Sequence, residues 1–173
     1  AFNGCTLLET VKLPEDVTTL SNAMFYNCTS LKEITILEGV ETIGGSAFKN
    51  CTSLTSITLP KSLKTIESSA FEGCSALVNV YYNGTLLDWA NIDISSNPME
   101  AASHFYIKNE NTYEEVTKIE NLDGITSLGW QFEGFDEVTE IVLPTSLTSV
   151  SNFLYTLYRF HIYPFLFLIF LTL

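Results

Sequence analysis

The stretch SAFKNCTSL, residues 46–54, decides the fold, because near copies of it stand on either side at a constant distance. The copies are AFNGCTLL from Ala1, MFYNCTSL from Met24, AFKNCTSL from Ala47 and AFEGCSAL from Ala70. Their cysteines, Cys5, Cys28, Cys51 and Cys74, recur every 23 residues. A fixed period of about 20 to 50 residues marks a stacked-repeat architecture and outranks any local secondary-structure reading. Outward from each cysteine, apolar residues keep set offsets: Leu31, Ile34 and Ile36 in one unit, Leu54, Ile57 and Leu59 in the next. Leu8, Val11 and Leu13 hold the same places before them, and Leu77, Val80 and Tyr82 after. The last two of each set are separated by a polar or aromatic residue, the period-two pattern of a strand with one buried face. A second apolar pair follows in Val17 and Leu20, Val40 and Ile43, and Leu63 and Ile66. Each unit therefore has two short extended pieces and a corner.

The quoted stretch is the corner. Phe2, Phe25, Phe48 and Phe71 recur where large side chains stack along the axis, and the residue before each cysteine is Gly4, Asn27, Asn50 or Gly73. Glycine and asparagine tolerate positive φ best, so the chain is expected to turn through the left-handed region there. A unit this small cannot bury its apolar side alone, and stacking supplies the partner. The repetition is a core rather than a catalytic motif.

The order L-x-x-I-x-L, V-x-x-I and A-F-x-x-C resembles the BspA-like leucine-rich repeat over most of residues 1–150. The resemblance implies a mainly β leucine-rich-repeat solenoid of ~23-residue coils with short parallel strands, about six coils in all, and one short helical insertion. It also implies a secreted or cell-surface binding module used in adhesion. Four segments are expected: a first repeat block (1–82), a tryptophan-containing helical insertion (83–103), a second, degenerate block (104–151) and an apolar tail (152–173). Within the insertion, Thr85 and Asp88 fit a capping box opening a short helix over Leu86, Leu87, Trp89 and Ile92, stopped by Asn97 and Pro98. The strand HFYIKN then restarts the stack. In the second block Val116, Ile119, Ile125 and Leu128 return as Val138, Ile141, Leu147 and Val150, each 22 later. Trp130, Gln131 and Phe132 replace the Ala-Phe corner, and Phe135 stands where cysteine is expected. A phenyl group fills a core slot but neither ligates metal nor forms a disulfide, so the cysteines read as buried free thiols, with disulfides the alternative.

The formal charge is −12, and Arg159 is the only charged residue after Glu140, so the repeats are more negative still. Such a surface repels phosphate backbones and has no basic stripe, which excludes nucleic acid as a partner. Glu15 with Asp16, and Glu114 with Glu115, are adjacent pairs rather than a converging calcium cage. His104 and His161 stand in no zinc spacing, and no nucleophile or phosphate-loop motif is present. No metal, no cofactor and no catalysis are expected.

The outward positions of the first strand carry the functional expectation. They form two ladders, Thr10, Glu33, Ser56 and Asn79, and Lys12, Thr35, Thr58 and Tyr81. An extended, preformed sheet suits protein or glycan recognition, because little ordering entropy remains to be lost. Threonine and serine are equally good residues for any exposed strand face, and Tyr81 is the strongest single contact. Asn27, Asn50 and Asn83 fall in N-x-[ST] sequons, two of them as part of the repeat consensus. From Phe153 the tail FLYTLYRFHIYPFLFLIFLTL would span about 31 Å as a helix, but Arg159, His161 and Pro164 interrupt it. It reads as an anchor, an apolar cap or partner-buried segment, or a mistranslated end, and membrane contact would run only through residues 153–173. The chain opens inside a repeat without an initiator Met, so both ends read as cut. Two other classes stay open: an accessory region of a larger surface hydrolase, and an intracellular scaffold.

Overall fold

Each repeat carries the chain once around a common axis, and backbone ladders on its sides tie one turn to the next. The computed structural model describes residues 1–95, 102–132 and 134–150. The tail from Phe153 and the expected stop at Asn97 and Pro98 lie outside them. One ladder joins β1 (Thr19–Leu20), β3 (Thr42–Ile43), β5 (Thr65–Ile66) and β7 (Asp93–Ile94), all parallel, with Leu20, Ile43, Ile66 and Ile94 in register. The other joins β2 (Glu33–Thr35), β4 (Ser56–Leu59), β6 (Asn79–Tyr82) and β8 (His104–Asn109) in parallel, with Ile34, Ile57, Val80 and Phe105 in register and buried. These are the two extended pieces that the apolar offsets foretell. The result is a mainly β solenoid of ~23-residue turns with one short helix.

The stack makes about five turns rather than six. HFYIKN does rejoin the sheet as β8, but it then folds back antiparallel on β9 (Thr112–Glu115). The reversal runs through Glu110, which has φ 51°. Residues 110–115 are thus used to pair the outer edge of β8, which otherwise exposes unpaired backbone groups.

The corner behaves as its residue types require. Gly4, Asn27, Asn50 and Gly73 all have positive φ, from 58° to 76°. Ala23, Ser46 and Ser69 join them at 53° to 59°, which residue type does not announce. These left-handed turns aim N–H groups along the axis: Phe25 N–H donates to Ala47 O and Asn27 N–H to Lys49 O, and each bond repeats one coil on, from Phe48 to Ala70 and from Asn50 to Glu72. A non-glycine residue in this region costs about 1–2 kcal/mol, offset here by a hydrogen bond between coils. Asn50 Nδ2 also donates to Asn27 Oδ1 at 2.9 Å, so the nitrogen of the Asn50 sequon is engaged in the stack.

Beneath the corner, Phe2, Phe25, Phe48 and Phe71 form one column with ring centroids 5.2 to 5.4 Å apart. Cys28, Cys51 and Cys74 are buried beside it, and their Sγ atoms donate to the carbonyls of Phe2, Phe25 and Phe48 at 3.0 to 3.1 Å. All four cysteines are free, but Cys5, on the outer side of the first coil, is exposed rather than buried. Burial pushes the Cys28 thiol up to about 11, and Cys51 is raised by its hydrogen bond with Cys74 and by burial. Native alkylation with a maleimide is therefore expected to give a single adduct, at Cys5, with the other three appearing only in denaturant. Mass spectrometry counts them, and equal labelling of Cys51 and Cys5 would contradict the packing described.

The helix α1 (Leu86–Ala90) opens on the expected capping box: the Thr85 hydroxyl accepts from Asp88 N–H, and the Asp88 carboxylate accepts from Thr85 N–H. It ends earlier than expected. Asn91 caps it, with Nδ2 donating to Leu87 O at 2.7 Å, so Ile92 is free to lead into β7. Burial pulls Asp88 upward, but the two Thr85 bonds and the Lys61 ammonium outweigh it and hold the carboxyl below its ordinary value.

The second block repeats the scheme with a 22-residue register: β10 (Lys118–Ile119) pairs β12 (Glu140–Ile141), and β11 (Ser127–Leu128) pairs β13 (Ser149–Val150), both parallel. A 3-10 turn, Trp130–Phe132, makes the corner, and Phe135 fills the cysteine slot, its ring edge-on to Phe132. Strands β10 to β13 belong to sheets separate from the two before them. One backbone bond, from Val116 N–H to Phe105 O at 2.8 Å, and a cluster of side chains make the join: Trp89, wholly buried on α1, lies 4.7 Å from Phe105, which stacks on Phe135 at 4.2 Å. The Trp89 indole N–H donates to the Gln131 carbonyl, and Gln131 Nε2 donates back to Ile92 O at 3.2 Å.

Candidate binding face

Alternation along a strand sends every second side chain outward, and parallel register then lines up equivalent residues of successive coils. Glu33, Ser56 and Asn79 are register partners, as are Thr35, Thr58 and Tyr81. Thr10 and Lys12 precede the first paired strand and lie in irregular backbone. They border the same trough nonetheless: a depression of about 590 Å³ is lined by Thr10, Lys12, Glu33, Thr35, Ser56, Thr58 and Tyr81, together with the apolar Val11, Leu13, Ile34 and Leu37. Asn79 is the one ladder residue that does not line it.

The face extends further than the two ladders. His104 continues the first beyond Asn79, and Tyr106 continues the second beyond Tyr81. Tyr106 stacks on Tyr81 at 4.9 Å and 20°, and Tyr113 from β9 meets Tyr81 edge-on at 5.0 Å. The Tyr113 hydroxyl donates to Asn83 Oδ1 at 2.6 Å, and Asn83 Nδ2 donates to Glu38 Oε1. Burial and then the Glu38 carboxylate push the Tyr113 hydroxyl up. His104 Nδ1 and Glu115 Oε1, 2.6 Å apart, close the far end. Tyr106 was legible, because β8 alternates Phe105 and Ile107 inward with His104, Tyr106 and Lys108 outward. Tyr113 was not, since only the hairpin brings it beside Tyr81.

Strand order puts Tyr106 on the side of Tyr81 away from the trough. The other face of the Tyr81 ring is thus turned toward Thr58 and forms the end wall of the depression. Two neighbouring rings hold it there, which lowers the entropy lost when a ligand meets it. Among the described residues no three His, Cys, Asp or Glu side chains converge as a metal site would require, and no helix is long and apolar enough to cross a membrane.

Stacked 23-residue coils, a consensus corner and an exposed parallel sheet define a leucine-rich-repeat solenoid. The BspA type leucine rich repeat region matches residues 1–97 in 6 copies, and the chain belongs to that family. Among solved structures, a T. pallidum leucine rich repeat protein is similar at 25% identity and TM-score 0.49, over 87% of this chain and 53% of its own. A leucine rich cell surface protein from Faecalibacterium prausnitzii A2-165 is similar at 24% identity and TM-score 0.43, over 76% of this chain and 40% of its own. The chain thus spans about half the length of the solved relatives. A comparison with curated proteins finds no match.

Proposed function

We propose that this chain is a non-catalytic binding module of a secreted or cell-surface protein, holding a protein or glycan ligand in adhesion through the face of β2, β4, β6, β8 and β9. The observation that carries the reading is the trough itself, where outward residues of four coils converge on one aromatic wall. Membership of a repeat family whose members are typically binding modules supports it, and so does the rigidity of a sheet whose every coil is bonded to the next. The ladder residues Thr10, Lys12, Glu33, Thr35, Ser56, Thr58, Asn79 and Tyr81 are the ligand contacts in this reading, with Tyr106 and Tyr113 backing Tyr81.

Thr58→Arg tests this without disturbing the core, because it places a long side chain on the trough floor from an outward strand position. Against immobilised matrix proteins and oligosaccharides, the parent chain is expected to bind at least one partner, and Thr58→Arg to weaken that binding by about tenfold or more. Lys64→Met, which alters an exposed pair with Glu41 away from the trough, is expected to change nothing. Equal binding by the parent and Thr58→Arg would remove the face from consideration.

A further inference from the structure

The surface groups of this solenoid divide into those that tie coils together and those that do not. Thr29, Thr55, Thr139 and Thr148 each donate their hydroxyl to a carbonyl of the preceding coil. Lys32, Lys49, Lys61, Lys64 and Lys118 each pair with a carboxylate. The trough residues are different. Thr10, Thr35, Ser56 and Thr58 make no side-chain hydrogen bond among the described residues, and Lys12 and Glu33 are in no ion pair there. In a chain this acidic, a lysine left without a carboxylate is conspicuous, and Lys108, the other such lysine, sits on the same sheet.

We infer that the trough binds a neutral linear oligosaccharide, with Tyr81 as its stacking platform; the inference rests on the binding reading above and names its ligand class. A sugar presents hydroxyls, each both donor and acceptor, around a ring whose C–H faces are apolar. The trough presents the complement. Four hydroxyls act as donors and acceptors, Lys12 as a donor only and Glu33 as an acceptor only. The free Tyr81 face, electron-rich at its centre, receives the C–H side of a pyranose. One unpaired cation and one unpaired anion within the trough leave it without net charge, which matches an uncharged ligand. The surrounding acidity disfavours sulfated or sialylated chains. Protein ligands bury an apolar centre with few charges, whereas here four hydroxyls and two charged groups stand among the apolar Val11, Leu13, Ile34 and Leu37. From the coil of Thr10 to that of Tyr81 is three coil steps, about 14 Å, the reach of a short linear oligosaccharide.

Titration calorimetry of the intact chain with maltopentaose, cellopentaose, laminaripentaose, chitopentaose, sialyllactose and a heparin tetrasaccharide decides the matter, with immobilised matrix proteins tested in parallel. The expected result is binding of at least one neutral pentasaccharide. Tyr81→Ala is expected to weaken it about tenfold and Tyr81→Phe less than about threefold, while Lys12→Met and Glu33→Gln weaken it severalfold. Unchanged melting of each variant shows that the fold is kept. Binding of the charged sugars alone overturns the inference. Binding of a matrix protein alone, lost in Thr58→Arg, also overturns it but leaves the binding face standing. Neutral sugar bound equally by parent and Thr58→Arg overturns both.

Discussion

Phe48→Ala is expected to destabilise the first block by about 3–5 kcal/mol, the range for removing a phenyl group from a closed core. Phe48 has no exposed surface and stands between two rings, Phe25 at 5.2 Å and Phe71 at 5.3 Å, both nearly parallel to it. No neighbour can swing into the space, because each ring is held by its own coil and the coils are spaced by backbone hydrogen bonds. Phe2→Ala is the control: that ring is 37% exposed and has only Phe25 beside it at 5.4 Å. Its loss is expected to cost about 1 kcal/mol. Since coils couple mainly to their neighbours, the weakening should be local, and amide protection should fall most in β3 to β6. Urea titration gives the total and exchange the location. A loss no larger for Phe48→Ala than for Phe2→Ala would mean that the column is not the spine of the fold.

Trp89→Ala is the second large effect, and it differs in kind. Among the described residues, β10 to β13 share no ladder with the two sheets before them, so their junction with the stack depends on the cluster of Trp89, Phe105 and Phe135 with the Trp89 to Gln131 hydrogen bond. Removing the indole is expected to cost about 3–5 kcal/mol, concentrated in β10 to β13. Those strands should lose amide protection while β2 to β5 keep theirs. Trp89→Phe retains ring packing but leaves the Gln131 carbonyl without its donor, for a loss of about 1–3 kcal/mol. Uniform loss of protection across both blocks after Trp89→Ala would show that the junction is not where the coupling resides.

The residues that bound these predictions were legible to different degrees. The Phe column, the left-handed asparagines and the pairing of Ile119 with Ile141 follow from residue type and spacing, because each depends on contacts one repeat apart, and the capping box follows because Thr85 and Asp88 are only three residues apart. Ala23, Ser46 and Ser69 at positive φ do not, since alanine and serine carry no preference for that region. They take it because the coil-to-coil hydrogen bonds outweigh the local cost. Cys5 read as buried like its equivalents, yet burial in a stack is conferred by the neighbouring coil and not by the residue.

The sequence by itself determined the repeat, the strand faces and hence the ladders from Glu33 to Asn79 and from Thr35 to Tyr81, because a period of 23 with alternating apolar residues admits one register. Only the tertiary structure decided how the first sheet ends. That HFYIKN, expected to restart the stack, reverses after β8 into β9 and sets Tyr113 against Tyr81 follows from pairing along the outer edge of β8. Satisfying the open strand edge is a property of the whole stack, and no window of the sequence contains it.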